Sequence, residues 1–255
     1  MCNPEEMCDR SVKKIKLNCD LGESFGQWQM GRDADVMPLI DEANIACGFH
    51  AGDPVVMQQT VALAVKHQVS IGAHPSYPDL QGFGRRSMKM AASELIAQLH
   101  YQLGALQGIC QVNGTQLEFV KPHGALYNDM MRDLALFETL CQALSQFDAN
   151  LVLVIQALPN TQDWQQIAQQ YDLNLRFEAF ADRNYQDNGL LVPRTQGNAV
   201  LSDPQTIFAR VTQLAQTGKL TSVTGKPLSL QVDTICVHSD TDNALAIAKK
   251  LASIH

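Results

Sequence analysis

Four short apolar runs in this chain each end in a histidine: 43–50, 69–74, 118–123 and 234–238, closing on His50, His74, His123 and His238. A fifth run, 14–23, carries Asn18 and ends in the carboxylates of Asp20 and Glu23. A sixth, 175–183, ends in the acid–base pair Asp182-Arg183. Ionisable groups at the ends of buried runs cost stability unless a site uses them. Imidazoles move protons near neutral pH, and a carboxylate beside them serves as base or orienter. Lys121, between Val120 and Pro122, is placed to polarise a carbonyl or hold a phosphate. His123 stands next to it as acid or base. The pattern is that of one active site assembled from the ends of many strands.

Several neighbours read less sharply. Asp53 precedes Pro54 and reads first as a helix N-cap, although a helix N-terminus also favours an anion. The loop 78–86 holds Gly82, Gly84, Arg85 and Arg86 and is able to close over an anion. Asp182-Arg183 reads equally as a salt bridge or as part of the site. Tyr127 and Asn128 read as packing and capping, Asp240 as a cap, and His67, His100 and His255 as surface residues. Gly22-Glu-Ser-Phe-Gly26 matches a nucleophile elbow, but no upstream strand supplies an oxyanion-hole loop. Thr224-Gly-Lys-Pro227 lacks the spacing of a phosphate-binding loop, and there is no dinucleotide fingerprint. The histidines are scattered rather than spaced as in H-E-x-x-H, which leaves a metal site open without signalling one.

These residues need strands to position them. Runs at 14–19, 43–47, 69–73, 117–121, 151–156, 175–180 and 233–237 are short and read as apolar on both faces, as parallel strands covered on both sides are. Helical patterns lie between them, with stripes at Leu95, Leu99, Leu103, Leu106 and at Leu134, Phe137, Leu140, Leu144. Asp203-Pro204 opens a capped helix that Gly218 ends, and 241–253 forms the last helix. Hairpins are expected at 220–232 and around Asn113-Gly114. Alternating strands and helices predict an α/β fold, a seven-stranded parallel (β/α) barrel of the TIM type over 13–255, after a loose leader at 1–12. In such barrels the chemistry sits at the C-terminal ends of the strands, which is where the polar groups stand.

The composition sets limits. With 255 residues, 45% hydrophobic and 18% charged, the chain is an ordinary globular size for one barrel. A net charge of −7 argues against nucleic acid or an anionic membrane as general partners. The seven cysteines include no CxxC pair, and Cys19, Cys47 and Cys236 lie inside apolar strands, which fits a reducing cytoplasm. The first ten residues carry no apolar core and do not read as a signal peptide, and no run approaches the length of a membrane span.

The motifs Asn18-Cys-Asp-Leu-Gly-Glu-Ser24, Ala43 to Pro54, Gly72-Ala-His-Pro75, Gly82-Phe-Gly-Arg-Arg86, Lys121 to Asn128, Phe180-Ala-Asp-Arg183 and Cys236-Val-His238 resemble those of the LamB/YcsF family. The resemblance covers 14–240. It implies a seven-stranded barrel of the glycoside hydrolase/deacetylase type. It also implies ATP-dependent conversion of 5-oxo-L-proline (pyroglutamate) to L-glutamate, a 5-oxoprolinase activity shared with B and C subunits. ATP, with Mg2+, is the implied cofactor, and the missing nucleotide motif assigns the ATP step to the partner subunits. On this reading Asp20, His50, His74, Lys121 and His123 are catalytic. Asp20 or His74 is the base, and Lys121 with His123 acts on the carbonyl or phosphate. Asn18, Glu23, Asp53, Arg85, Arg86, Asp182, Arg183 and His238 bind substrate or phosphate. The chain departs from the family pattern at Phe119, where a histidine is usual, at Ser239, and at Gln156-Ala-Leu-Pro159. Two alternatives stay open: a stand-alone amidase or deacetylase binding zinc through some of Asp20, His50 and His74, or a non-catalytic subunit that binds 5-oxoproline.

Overall fold

The structure is a computed structural model and describes residues 15–237 and 244–252. The leader expected at 1–12 and the residues His238, Ser239, Asp240 and His255 lie outside the described residues. Strands β1 (Lys16–Leu21), β2 (Glu42–Ala46), β3 (Ser70–His74), β4 (Phe119–Val120), β5 (Val152–Gln156) and β6 (Asn174–Phe180) run parallel, each beside the next. Strands β7 (Lys219–Thr221) and β8 (Pro227–Ser229) form a separate antiparallel hairpin. Strand β9 (Thr234–Val237) then pairs with both β6 and β1 and closes a seven-stranded parallel barrel. All seven expected barrel strands are present, as is the hairpin within 220–232.

The helices are α1 (Asp33–Val36), α2 (Pro54–His67), α3 (Ala92–Val112), α4 (Gly124–Met130), α5 (Leu134–Asp148), α6 (Gln162–Gln170), α7 (Pro204–Thr217) and α8 (Ala244–Ala252). Asp53 caps α2 by accepting from the Val55 and Val56 amides. Asp203 caps α7 in the same manner, and Gly218 ends that helix at φ +66°. The α3 stripe is buried throughout. In the α5 stripe Phe137, Leu140 and Leu144 are buried, but Leu134, at the first helical position, is exposed. His100 is half-buried rather than a free surface group, and its Nε2 lies 2.8 Å from the Ala143 carbonyl of α5.

Two expectations are corrected. Asn113-Gly114 is not a hairpin. It terminates α3, with Gly114 at φ +68° directly after the helix end. Nor are the strands apolar on both faces. Their outward side chains (Leu17, Cys19, Ile45, Ile71, Leu153) are buried and apolar, as helix-covered strands require. Their inward side chains include Asn18, Glu42, Asn44, Glu178 and Thr234, all buried and polar. Glu42 accounts for the lower end of the barrel. It pairs with Arg176 at 2.5 Å and Lys16 at 2.9 Å, and accepts from Thr234 Oγ1 at 3.0 Å. Mutual pairing removes the cost of burying these charges singly. Above this level Phe119 lies across Gly72, leaving no room there for a Cβ. The Arg176 guanidinium rests over the Phe119 ring at 5.1 Å. No helix among the described residues is long and apolar enough to cross a membrane.

Candidate active site

Period-two alternation along the strands carries the inward ladder upward to the C-terminal mouth. Asn18 Nδ2 donates to Thr234 Oγ1, and Asn44 Nδ2 donates to Asn18 Oδ1 at 2.8 Å and Asp20 Oδ1 at 2.7 Å. Lys121, just past β4, reaches into this network. Its Nζ stands 2.8 Å from Asp20 Oδ1, 2.8 Å from Glu178 Oε1 and 3.2 Å from Cys236 Sγ. Glu178 Oε2 accepts from the buried Tyr127 hydroxyl at 2.8 Å. Burial opposes the charge on Lys121, but the neighbouring Asp20 and Glu178 carboxylates outweigh it and hold the ammonium well above its ordinary pKa. Burial pushes the Cys236 thiol well up, so it stays neutral.

Three histidines crowd the next level. His50 and His123 stack with ring centroids 3.7 Å apart, and His74 meets His123 edge-on. Burial, then the neighbouring imidazoles, holds His50 and His123 well below their ordinary pKa. Glu23 Oε1 lies 3.2 Å from His50 Nε2 and 3.5 Å from His123 Nδ1. Asp20 Oδ2 lies 3.3 Å from His74 Nε2. The β1 loop that presents Glu23 is pinned by carboxylates. Gly22 N donates to Asp33 and Gly26 N donates to Asp53, each at 2.8 Å.

The loop 78–86 covers the histidines. Phe83, held at φ +53°, packs its ring edge-on against His50 and His123, and its carbonyl lies 2.9 Å from His123 Nε2. Gly84 admits this approach: a Cβ there would stand 2.8 Å from both His50 Cβ and His123 Cδ2. The buried carboxylate of Asp79 folds the loop by accepting from Gly82 N and binding the Arg86 guanidinium.

A cavity of about 420 Å³ opens at this mouth. Asp20, Glu23, His74, Lys121 and His123 line its barrel side, and Arg85, Arg132, Arg183 and Arg194 line it from the loops. Arg183 is buried and donates to the Val192 carbonyl at 2.7 Å. Burial lowers its pKa to about 10, so it remains a cation at neutral pH. Of the expected site residues, Asn18 and His50 lie beneath the cavity. Asp53, Asp182 and Arg86 do not line it: Asp53 caps α2, Asp182 is buried, and Arg86 is taken up by Asp79. Ser24, the elbow serine, exchanges hydrogen bonds with Met30 and has no hydrogen bond to a histidine among the described residues.

The residues not foreseen are Glu178, Asn44, Arg132 and Arg194. Arg176 and Glu178 alternate with Leu175, Phe177 and Ala179, a period-two signal inside a run that reads as apolar. Arg132 and Arg194 sit in loops with no periodic context.

The chain is 54% identical over 241 residues to a protein of Vibrio cholerae named as the A subunit of 5-oxoprolinase, covering 94% of this chain and 97% of that one. A protein of the same name from Vibrio campbellii is 50% identical over 239 residues, covering 94% of each. The crystal structure of a lactam utilization protein from Thermus thermophilus superposes with a TM-score of 0.86 at 38% identity, covering 94% of this chain and 95% of that one. The sequence profile of the LamB/YcsF family matches residues 15–254, and the chain belongs to that family.

Proposed function

We propose that the cavity opens the ring of 5-oxo-L-proline to give L-glutamate, as the hydrolytic subunit of an ATP-dependent 5-oxoprolinase. The observation that carries this reading is the polarity of the cavity, with carboxylates and imidazoles at the barrel side and four arginines around the loops. A five-membered lactam is a stable amide, and phosphorylation of its oxygen by ATP makes the ring carbon open to water. The substrate is then a small ring bearing a carboxylate and a phosphate. Guanidinium groups match both anions, and fixed cations near the oxygen stabilise charge that develops there.

Asp20 is the group placed to accept the proton from water. Lys121 and Asn44 fix its Oδ1, and its Oδ2 turns toward His74 at the cavity. Lys121 acts chiefly through Asp20 and Glu178, which already surround it, rather than as a phosphate ligand. The names of the relatives, each an A subunit, support an assembly with further subunits, and in this reading B and C subunits are the partners that handle ATP and Mg2+. The test is glutamate release from 5-oxoproline plus ATP, with this chain alone and with B and C subunits added. Release only in the full mixture supports the reading, and no release in either sinks it.

A further inference from the structure

We propose that His74, His123, His50 and Glu23 form a binding site for one zinc-class divalent metal ion. One donor atom from each residue lies within 4.8 Å of all the others. The hydrogen bonds around two of the rings carry the argument further. A backbone carbonyl only accepts, so His74 Nδ1, 2.6 Å from the Lys121 carbonyl, bears a proton. His123 Nε2, 2.9 Å from the Phe83 carbonyl, bears one for the same reason. With one proton on each ring, the remaining nitrogens, His74 Nε2 and His123 Nδ1, are both lone pairs, and they face each other at 2.9 Å, with Asp20 Oδ2 a further 3.3 Å from His74 Nε2. Two buried acceptors this close repel unless a cation stands between or beside them. Imidazoles whose far N–H is bound to a backbone carbonyl are the usual form of a metal-ligating histidine.

The spacing suits a small ion. Four donors at roughly 2.0–2.1 Å from a tetrahedral zinc stand roughly 3.3 Å apart. Three of the distances here are 2.9 Å (His74 Nε2 to His123 Nδ1), 3.5 Å (His123 Nδ1 to Glu23 Oε1) and 3.2 Å (Glu23 Oε1 to His50 Nε2). The N3O donor set is one that zinc accepts. His50 has to tilt away from its stack on His123 to bring the ion into its ring plane. Its Nδ1 has no hydrogen-bond partner among the described residues to hold it back.

The test is metal retention by the full chain, dialysed against Zn2+ and then metal-free buffer, with zinc counted by elemental analysis. One zinc per chain is expected, together with a rise in Tm on adding Zn2+ to the wild-type protein. Substituted Co2+ should give the visible absorption of a four-coordinate nitrogen–oxygen site. His74→Gln and His123→Gln should each weaken zinc binding by about tenfold or more. Wild-type protein that keeps no zinc and gains no Tm overturns the proposal and leaves a shared proton between His74 and His123 as the cation. Equal retention by the His74→Gln/His123→Gln double variant overturns it as well. Retention is measured without lactam or ATP, so failure here leaves the proposed ring opening standing.

Discussion

Lys121 and Glu178 meet across the barrel interior, with 2.8 Å between Nζ and Oε1 and both side chains buried. Lys121 follows β4 and Glu178 lies within β6, strands that do not pair with each other, so the contact spans β5 between them. The lysine is therefore part of what holds the barrel interior together. It offsets two carboxylates, Asp20 and Glu178, that no water reaches fully.

Removing one partner leaves a buried charge unpaired. Lys121→Met should cost about 3–5 kcal/mol of stability, read from urea unfolding. The Lys121→Met/Glu178→Gln double variant should lose clearly less than the sum of the two single changes. Additive losses would show that the pair is not coupled.

Gly72 and Phe119 set a second coupling, this one steric. Gly72→Ala drives a methyl into the Phe119 ring and should cost about 1–3 kcal/mol, as overpacking does. Phe119→Ala should relieve much of that in the double variant. A Gly72→Ala protein with wild-type Tm would show that the ring moves aside freely.

Arg86 is tied to Asp79 and folds the loop that places Phe83 and Arg85. Arg86→Ala should therefore lower kcat/KM through a looser loop, with Arg86→Lys restoring part of it. Arg85→Ala, at the cavity itself, should raise KM more. Equal KM effects from the two would place Arg86 on the substrate after all.

The Asp33 carboxyl holds Gly22 N beside Glu23, and burial raises its pKa from 3.8 to about 6. Between these values the folded protein binds a proton that the unfolded chain has released. This group thus contributes stability at low pH that is lost as pH rises from about 4 to about 6. Asp33→Asn, which still accepts from Gly22, should gain Tm relative to wild type across that window and keep the gain at pH 7. A Tm difference that does not vary with pH would contradict the shift.

The barrel was legible in the sequence because its outward faces are uniformly apolar and its helices carry caps at Asp53 and Asp203. His74 and His123 stood out because each closes such a run, and Lys121 because it stands between Val120 and Pro122 within one. Glu178, Asn44 and Glu42 were hidden for the opposite reason. Each sits inside a strand whose alternate residues are apolar, and its partner lies on another strand far away in sequence, as Glu42 and Arg176 do. Arg86 was misplaced because adjacent arginines look alike in a loop, and only the position of Asp79 separates them. Leu134 misled because a periodic stripe does not mark where the first helical turn leaves the core.

The most direct measurement is glutamate release by the complete A, B and C mixture with Asp20→Asn in this chain. The asparagine keeps an oxygen for Lys121 and Asn44 but cannot take a proton from water. Release should fall by about a hundredfold or more, with unfolding by urea little changed. Release at the wild-type rate would remove Asp20 as the base and contradict the account of the site.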